Sequence, residues 1–241
     1  MITVAEKLLL ATNKSKPYVE FVSSTSMTIT PKYTNTGVTL QYSLNGTTWK
    51  AIASGATTPS ANIIYFRGKA TGTKSLYASS STNYSWIFTG ATNLECNGKL
   101  DRLLQDDFGG DNDILTLYIG CFVYMFYNAA TLIKAPELPA TTLAANCYDR
   151  MFYGCTSLTT LPKLNVLTMP AYCYRDMFRG CTKIKISTTL TGIYDTAYRI
   201  PTAGTGTTAT DAFLYMFTST GGTFTGTPSI NTTYYTENTP V

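Results

Sequence analysis

The sequence predicts a mainly β protein with short helices, in which a small β-sandwich precedes a stack of about five repeated coils. Three observations predict this class. One segment recurs in a fixed register, and residues 18–70 alternate between apolar and polar side chains in short runs bounded by turn residues. Charged residues make up only 13% of the 241 residues, while threonine, a β-branched residue that suits a pleated and half-wetted surface, is abundant.

The recurring segment has a period of 26 residues. Three copies follow one another without a gap: CFVYMFYNAATLIKAPEL begins at Cys121, CYDRMFYGCTSLTTLPKL at Cys147 and CYRDMFRGCTKIKISTTL at Cys173. Flanking copies align on Phe88 and Phe217, and the insertions LDRLLQDDFGGDND and TAYRIPTAGTGTT separate them from the regular block. A period of this length indicates stacked units that bury their apolar faces only against one another.

Each coil is predicted to contain a helical turn followed by a strand. Tyr148 and Phe152 are spaced i, i+4, as on one side of a helix, and Gly154 follows where a positive φ would end that helix. The run LTTLPKL from Leu158 would then add one short strand to a parallel ladder. Neither element can bury its apolar face alone, so several copies are needed.

The motif MFYGCTSLTTLP is similar to the leucine-rich repeats of the BspA type, whose units read roughly A-F-x-x-C-x-x-L-x-x-I-x-L-P. The resemblance covers residues 84–225, with degenerate outer copies and with Pro162 one place earlier than in the usual unit. It implies a right-handed leucine-rich-repeat solenoid, over residues 76–225, with an adhesive or structural role on a surface. Residues 226–241 are expected to form a Thr-rich C-terminal tail.

Residues 17–75 are predicted to form a β-sandwich of five or more strands. Asn45-Gly46, between the runs GVTLQYSL and TTWKAIA, predicts a hairpin with a type I′ turn, which needs a positive φ at both central residues. Trp49 and Phe66 are the predicted core anchors. The segments LQYSLNGTTWKAI and IIYFRGKA resemble small β-domains in surface and virion proteins of gut Bacteroidales and their phages, which implies an Ig-like mounting or spacer module.

Residues 1–16 are predicted to be a docking segment. A short amphipathic helix over residues 2–11 would place Val4, Leu8 and Leu9 together as the attachment surface, docked on its own domain or on a neighbouring subunit. Glu6 and Lys7 interrupt what would be the apolar core of a signal peptide, so we expect no leader. No apolar run is long enough to span a bilayer, and we expect no membrane insertion.

The six cysteines are predicted to be free core thiols. Cys121, Cys147 and Cys173 occupy one column of the repeat and Cys155 and Cys181 another, as small side chains that fill a repeated slot. Column mates would lie about 5 Å apart, the spacing of strands, so disulfides remain an alternative. A metal site is the third alternative, although CxxC-like pairs are missing.

The insertion QDDFGGDND carries a weak candidate calcium site. Its carboxylates surround two glycines and are the hard oxygen ligands that calcium prefers, but their spacing differs from that of an EF-hand loop. A solvated acidic loop is the favoured alternative, and no cofactor is expected. The candidate ligands are Asp106, Asp107, Asp111 and Asp113.

Exposed positions between the core leucines are predicted to form a binding face. They are Ile133, Lys134, Glu137, Thr159, Thr160, Lys163 and Lys185. The swapped order of Asp149-Arg150 and Arg175-Asp176 predicts exposed ion pairs between coils, each worth roughly 0 to 1 kcal/mol. Packing in the core or at the edge is favoured over ligand binding for five tyrosines near the coil edges, namely Tyr124, Tyr127, Tyr153, Tyr172 and Tyr174.

These features favour a protein that is not an enzyme. The sequence contains no histidine, the side chain most used for proton transfer near neutral pH, and its net charge of +4 is too small to predict a nucleic-acid partner. We expect a structural or adhesive protein of a virion surface, such as a head fibre, a capsid decoration or a tail-associated protein of a phage of gut bacteria.

In this interpretation the N-terminal part attaches to other virion proteins, and the solenoid faces outward to a host-surface glycan or protein. A homo-oligomer is expected, with a trimer by analogy to fibres. The alternative is a secreted or surface-anchored bacterial BspA-like adhesin. A glycan-cleaving enzyme is the least favoured hypothesis.

Overall fold

The computed structural model describes residues 16–77 and 85–241, and within them the chain is mainly β, as predicted. The predicted attachment residues Val4, Leu8 and Leu9 lie outside the described residues. A 3-10 helix spans Leu100–Leu103. The strands are β1 Val19–Thr30, β2 Val38–Ser43, β3 Lys50–Ile52, β4 Ala61–Ala70, β5 Ile87–Thr89, β6 Leu94–Asn97, β7 Leu132–Lys134, β8 Thr168–Met169, β9 Lys185–Ser187, β10 Thr196–Arg199, β11 Thr207–Thr208, β12 Gly221–Gly222 and β13 Thr233–Thr236.

The N-terminal strands form a sheet in the order β3-β2-β4-β1-β6-β7, and β5 pairs with the far end of β1. Its first four strands are antiparallel neighbours, with Phe21 opposite Ile64 and Tyr42 opposite Phe66. Phe21, Ile64 and Phe66 are fully buried, whereas Tyr65 and Arg67 on the other face are half-buried. The alternation along β4 therefore follows the period of two that strand geometry imposes, and the predicted burial of Phe66 is confirmed.

The predicted hairpin forms, but not with the predicted turn. β2 and β3 pair with Tyr42 opposite Lys50, and a longer loop over residues 44–49 joins them. Gly46 has a φ of 72°, whereas Asn45 does not adopt a positive φ. The Asn45 side chain instead accepts the backbone N–H groups of Thr47 and Thr48, at 3.0 and 2.8 Å. A side chain that satisfies the loop in this way removes the need for a two-residue type I′ turn.

The same sheet continues into the repeated part of the chain. β6 pairs antiparallel with β1, with Phe21 opposite Cys96, and pairs in parallel with β7, with Leu94 opposite Leu132. The Phe21 ring lies 5.9 Å from Trp86 and 6.3 Å from Phe126, centre to centre. The N-terminal strands and the first repeated units therefore share one sheet and one apolar core.

The repeated units stack on a column of phenylalanine rings. Phe152 lies 5.3 Å from Phe126 and 5.5 Å from Phe178, with interplanar angles of 8° and 2°. Phe88 and Phe217 extend the column at 5.8 and 5.7 Å. The five rings therefore lie in one column, although Phe88 stands on strand β5 and is half-buried, whereas the other four stand in turns and are buried. A second column parallels the first and contains Phe122, Tyr148, Tyr174 and Phe213.

The predicted helical turn of each unit is wrong. Residues 146–154 form consecutive turns in which Met151 N–H donates to the Tyr148 carbonyl at 3.2 Å, while Phe152 N–H donates to the Met177 carbonyl of the next unit at 3.0 Å. Every fourth residue has a positive φ, as at Arg150 (52°) and Gly154 (72°). An α-helix would use its interior N–H groups internally, whereas here every second N–H joins neighbouring units. The i, i+4 spacing of the buried side chains thus reflects a four-residue turn.

The C-terminal segment is built into the sheets. β13 lies between β9 and β10, with Thr236 opposite Ile186. Farther along, Val241 N–H donates to the Leu161 carbonyl at 2.9 Å, and Lys163 N–H donates to the Val241 carbonyl at 2.7 Å. The residues predicted as a tail therefore contact two neighbouring units, one at β9 and the other at residues 161–163. At the end of the stack, the Phe224 ring packs edge-on against Phe217 at 6.4 Å and helps to cap the column.

Replacing Tyr174 by phenylalanine should stabilise the protein by about 1 kcal/mol. The Tyr174 hydroxyl is buried and has no hydrogen-bond partner among the described residues, and such a group costs about 1–3 kcal/mol. Urea unfolding of Y174F measures the change. Y198F is the matched control, because the buried Tyr198 hydroxyl donates to the Pro162 carbonyl at 3.1 Å and its loss should destabilise by about 1 kcal/mol. A Y174F variant less stable than the parent would contradict this prediction.

Candidate functional site

The predicted binding face lies on the strand side of the units, where much of it is already occupied. Lys134 donates to the Asn97 side chain at 2.8 Å, Thr159 donates to the Ile133 carbonyl at 3.1 Å, and Lys185 pairs with Glu237 at 3.1 Å. The Thr160 hydroxyl accepts the Ala135 N–H at 3.2 Å. Asn238 of the C-terminal segment donates to the Thr159 carbonyl, so this segment lies across the face. Exposed members of the face are Glu137 and Lys163.

Glu137 and Lys163 border a polar groove. Lys99, Asp113 and Asn165 also line it, as does Val241 of the C-terminal segment. Lys99 pairs with Asp113 at 2.9 Å, so two of the lining charges neutralise each other. The groove combines both signs of charge and presents no aromatic ring, which gives it little chemistry for selecting one class of ligand.

A second surface lies on the turn side of the units, and we call it the aromatic–arginine strip. Its rings and guanidinium groups contact one another across units: Tyr127 stacks on Tyr153 at 4.9 Å and 19°, and the Arg179 guanidinium lies 5.8 Å from the Tyr153 ring and 5.5 Å from the Tyr215 ring. The distances are those of cation–π contacts. The strip consists of Tyr124, Tyr127, Arg150, Tyr153, Tyr172, Arg175, Arg179 and Tyr215.

The turn geometry places these side chains outside the stack. Tyr124, Arg150 and Tyr215 stand two residues before the stacked phenylalanines and have φ values of 60°, 52° and 58°. The fourth residue in this column, Asp176, also has a φ of 52°. Non-glycine residues rarely adopt this conformation, which persists here because the neighbouring units, and at Tyr215 the C-terminal segment, hydrogen-bond to the turn. These four positions are equivalent in the repeat, but the prediction of a helix did not reveal that they form one column along the stack.

Beneath the strip, the predicted ion pairs form across units. Arg175 Nε donates to Asp149 at 3.1 Å, and Arg150 Nη2 lies 3.1 Å from Asp176. Arg179, which was not predicted to take part, donates to Asp176 at 3.1 Å. The predicted pairs are confirmed, but their predicted exposure is wrong, because Asp149 is 0% and Asp176 2% exposed. The turns hold both carboxylates under the arginines.

The electrostatics of this cluster follow from burial. Desolvation raises the pKa of Asp149, and the hydrogen bonds from Arg175 only partly oppose that effect. The hydrogen bond to Asp149 in turn raises the pKa of Arg175, which keeps the guanidinium charged. Three guanidinium groups face two carboxylates, so the cluster carries a net charge of +1 when all five groups are ionised. Its positive groups lie on the outside.

The acidic insertion is organised by an arginine of the chain itself. Arg102 is fully buried and donates to Asp101 at 2.9 Å, to Asp113 at 3.0 Å, and to the carbonyls of Asp111 and Asn112 at 2.9 Å. Burial raises the pKa of Asp101 to about 6, against the opposing influence of the Ile114 N–H and Arg102. The Arg102 guanidinium therefore occupies one carboxylate of the candidate calcium site, that of Asp113, and two carbonyl oxygen atoms of the same loop.

The candidate calcium ligands do not converge. Asp106 pairs with Lys74, and Asp113 is shared between Lys99 and Arg102. Throughout residues 16–77 and 85–241, no three side chains of the metal-binding types come together. The sequence placed these carboxylates in one short loop, but the loop turns those of Asp106 and Asp113 toward different cations.

Trp49 lies at the surface rather than in the core, so its predicted role as an anchor is wrong. It is half-buried on the outer face of the sheet, where the Arg67 guanidinium lies 4.2 Å from its ring and the Tyr18 ring 5.8 Å away. The opposite, core-facing side of β4 is covered by the 3-10 helix, which approaches so closely that a Cβ at Gly68 would lie 1.9 Å from the Leu103 carbonyl oxygen. Only glycine fits at that contact.

The six cysteines are buried and free, as predicted. Two thiols of the second column, Cys155 and Cys181, donate to the carbonyls of Phe126 and Phe152, each at 3.0 Å. Burial raises the pKa of Cys147 to about 12 and holds the pKa of the other thiols above the ordinary value. A thiol that stays protonated in a dry core has little reactivity.

In native buffer the six thiols should therefore stay unreacted toward a chromogenic disulfide reagent, and all six should react once the unreduced protein is denatured. A Lys163→Cys variant serves as the positive control, because this exposed position should react at once in the native state. Fewer than six reactive thiols after denaturation would reveal a disulfide and contradict the prediction.

No helix in the part of the chain that the structure describes is long and apolar enough to cross a membrane. Comparison of the chain with protein-family models, with curated proteins and with solved structures finds no match in any of the three.

Proposed function

We propose that the chain is a non-enzymatic structural or adhesive protein of a virion surface, such as a head fibre, a capsid decoration or a tail-associated protein of a phage of gut bacteria. In this proposal an Ig-like β-sandwich mounts the protein on other virion proteins. A BspA-type leucine-rich-repeat solenoid of about five coils faces outward and contacts the host surface. The stacked phenylalanine column and the hydrogen bonds between units support the solenoid.

The continuous core supports a mounting role for the N-terminal strands. β1 pairs with β6, and Phe21 reaches the first phenylalanines of the column, with ring centres 5.5 Å from Phe88 and 6.3 Å from Phe126. Because the N-terminal strands and the repeated units share a sheet and a core, they resist rotation relative to each other far better than two parts joined by a flexible linker would. Such a connection suits a protein that presents a surface at a fixed orientation on a particle.

The state of the carboxylates supports a role other than glycan cleavage. Glycoside hydrolysis commonly needs two acids that face each other across a cleft and are free to exchange protons with the substrate. Asp149 and Asp176 are the stacked acids of the repeats, and both are buried beneath arginines to which they are hydrogen-bonded. Their geometry is that of a structural ion-pair network.

The observation that carries the proposal is the aromatic–arginine strip. It extends over several units because the same turn positions recur, so it offers several aromatic and guanidinium contacts along one surface. Tyrosine and arginine are enriched at the centres of recognition surfaces, since each combines a large contact area with directional hydrogen bonds. A repeated surface of this kind suits adhesion, in which many weak contacts add up.

Two measurements on phage particles test this proposal. Mass spectrometry of particles purified from a culture that produces the protein should detect the chain at several copies per particle. Immunogold labelling with an antibody against the chain should decorate intact particles. Gold that labels only bacterial envelopes, with no chain in the particles, would overturn the virion assignment and support a bacterial adhesin. Sedimentation of the purified full chain tests the proposed homo-oligomer, which by analogy to fibres would be a trimer.

A further inference from the structure

We propose that the aromatic–arginine strip binds an acidic polysaccharide, with sugar rings packed on its tyrosines and the acidic groups paired with its arginines. This inference rests on the proposed adhesive function and names the class of ligand.

Two arginines of the strip have N–H groups that no described residue accepts and that an anion could accept. Arg179 uses Nη1 on Asp176, and Arg175 uses Nε and Nη2 on Asp149. The Arg179 side chain is 40% exposed. Nε and Nη2 of Arg179 and Nη1 of Arg175 have no acceptor among the described residues. Guanidinium groups pair with carboxylates and sulfates through directed, charge-assisted hydrogen bonds, so these donors suit an acidic ligand.

The carboxylates beneath the strip hold these arginines in place, and the positive charge of the guanidinium groups still faces solvent. Asp149 and Asp176 lie on the core side of the guanidinium groups and are closed off from solvent. An approaching ligand therefore meets the positive groups first. The two carboxylates also fix the planes of the guanidinium groups, which lowers the entropy lost when an anion binds.

The tyrosines supply the surface that a sugar needs in addition to charge. Tyr215 is 48% exposed and stands beside Arg179, with 5.5 Å between its ring centre and the guanidinium carbon. Tyr127 and Tyr153 repeat at 4.9 Å along the stack. The C–H faces of pyranose rings pack on aromatic side chains, and the tyrosine hydroxyls can bond to sugar hydroxyls. Rings and cations that lie next to one another along the stack match a polymer that carries acidic groups on its sugar rings.

The same geometry disfavours a cationic ligand and a neutral glycan. A cationic peptide would need accessible carboxylates, and the two in this cluster are covered. A neutral glycan would use the tyrosines but would leave the donors of Arg175 and Arg179 without acidic partners. The combination of exposed aromatic rings with unused guanidinium donors is therefore best matched by an acidic sugar polymer.

Binding of the full chain to four soluble polymers tests the proposal by calorimetry or biolayer interferometry. Polygalacturonate presents carboxylates on sugar rings, dextran sulfate presents sulfates, dextran is neutral, and polyglutamate carries carboxylates without sugars. We expect polygalacturonate or dextran sulfate to bind at least tenfold more tightly than dextran and polyglutamate, and added salt to weaken that binding. The acidic glycan that binds more tightly identifies the acidic group, carboxylate or sulfate, that the strip prefers.

Three variants locate the site. Arg179→Gln removes an outward charge and Tyr215→Ala an exposed ring, so each should lower the affinity for the acidic glycan about five- to tenfold. Lys163→Gln is the matched control, because it removes an exposed charge on the strand side and should change affinity less than twofold. Unchanged melting temperatures would show that the variants remain folded.

Three outcomes would overturn the inference. They are equal binding to polyglutamate, which would indicate charge alone or an acidic protein partner; no binding to either acidic glycan; and a Lys163→Gln effect as large as that of Arg179→Gln. None of these bears on whether the chain is found in particles, so failure of the ligand assignment is distinguishable from failure of the virion assignment.

Discussion

A fragment that begins at residue 85 should fail to fold, whereas the full chain should unfold in one cooperative transition. Removing the N-terminal strands leaves one edge of β6 without its partner β1 and uncovers the faces of Trp86 and Phe126 that Phe21 contacts. Each fully buried aromatic or aliphatic side chain contributes about 1.5–3 kcal/mol, so uncovering several removes a large part of the roughly 5–15 kcal/mol that stabilises a typical domain.

Circular dichroism during thermal unfolding, together with binding of a dye for exposed apolar surface, measures this effect. The fragment should show no sigmoidal transition and should bind the dye strongly. A second fragment over residues 16–241 is the control and should unfold like the full chain, because it retains β1 and the contacts of Phe21 with Trp86 and Phe126. A fragment 85–241 that melts as sharply as the full chain would show that the repeats fold alone.

Replacing Phe152 by alanine should lower the free energy of unfolding by about 3–5 kcal/mol, the range typical of large aromatic deletions in a core. Its ring is fully buried and stacks on a ring from each neighbouring unit, at 5.3 and 5.5 Å. The variant loses the burial and both ring contacts, each of which adds about 0.5–1.5 kcal/mol beyond burial. The rigid turns on either side cannot collapse into the space.

Urea unfolding at equilibrium gives the change in free energy. Phe224→Ala serves as the matched control, because Phe224 is also aromatic but only partly buried, at the end of the column. It should cost less than half as much as F152A. If F152A costs no more than F224A, the phenylalanine column is not the main packing element of the stack, and the hydrogen bonds between units hold the stack together instead.

The positions of the core side chains in the repeats could be predicted because a sequence period becomes a spatial period when units stack. Phe126, Phe152 and Phe178 had to superpose once their spacing was constant, and the buried cysteines followed with them. The pairing of Asp149 with Arg175 came from the same rule, since a swapped order in adjacent units brings opposite charges together. Only the burial of the pair was not predicted, because burial depends on how the turn orients each side chain.

The backbone between those side chains could not be predicted in the same way. A helix and a chain of four-residue turns both bring side chains four apart to one side, so Tyr148 and Phe152 look alike in either case. The choice depends on whether the N–H of Phe152 bonds within its own unit or to Met177 of the next. That contact joins residues of different units, and no local pattern reveals it.

By itself, the sequence determined the mainly β class, the register of the units, the superposition of the central phenylalanines, and two charged pairs between units. The tertiary structure alone decided that the N-terminal sheet continues through β6 into the repeats, that the C-terminal strand β13 lies against β9, and that Trp49 faces outward. The physical reason is that side-chain burial repeats with the chain, whereas strand edges pair with whichever free edge lies nearest in space.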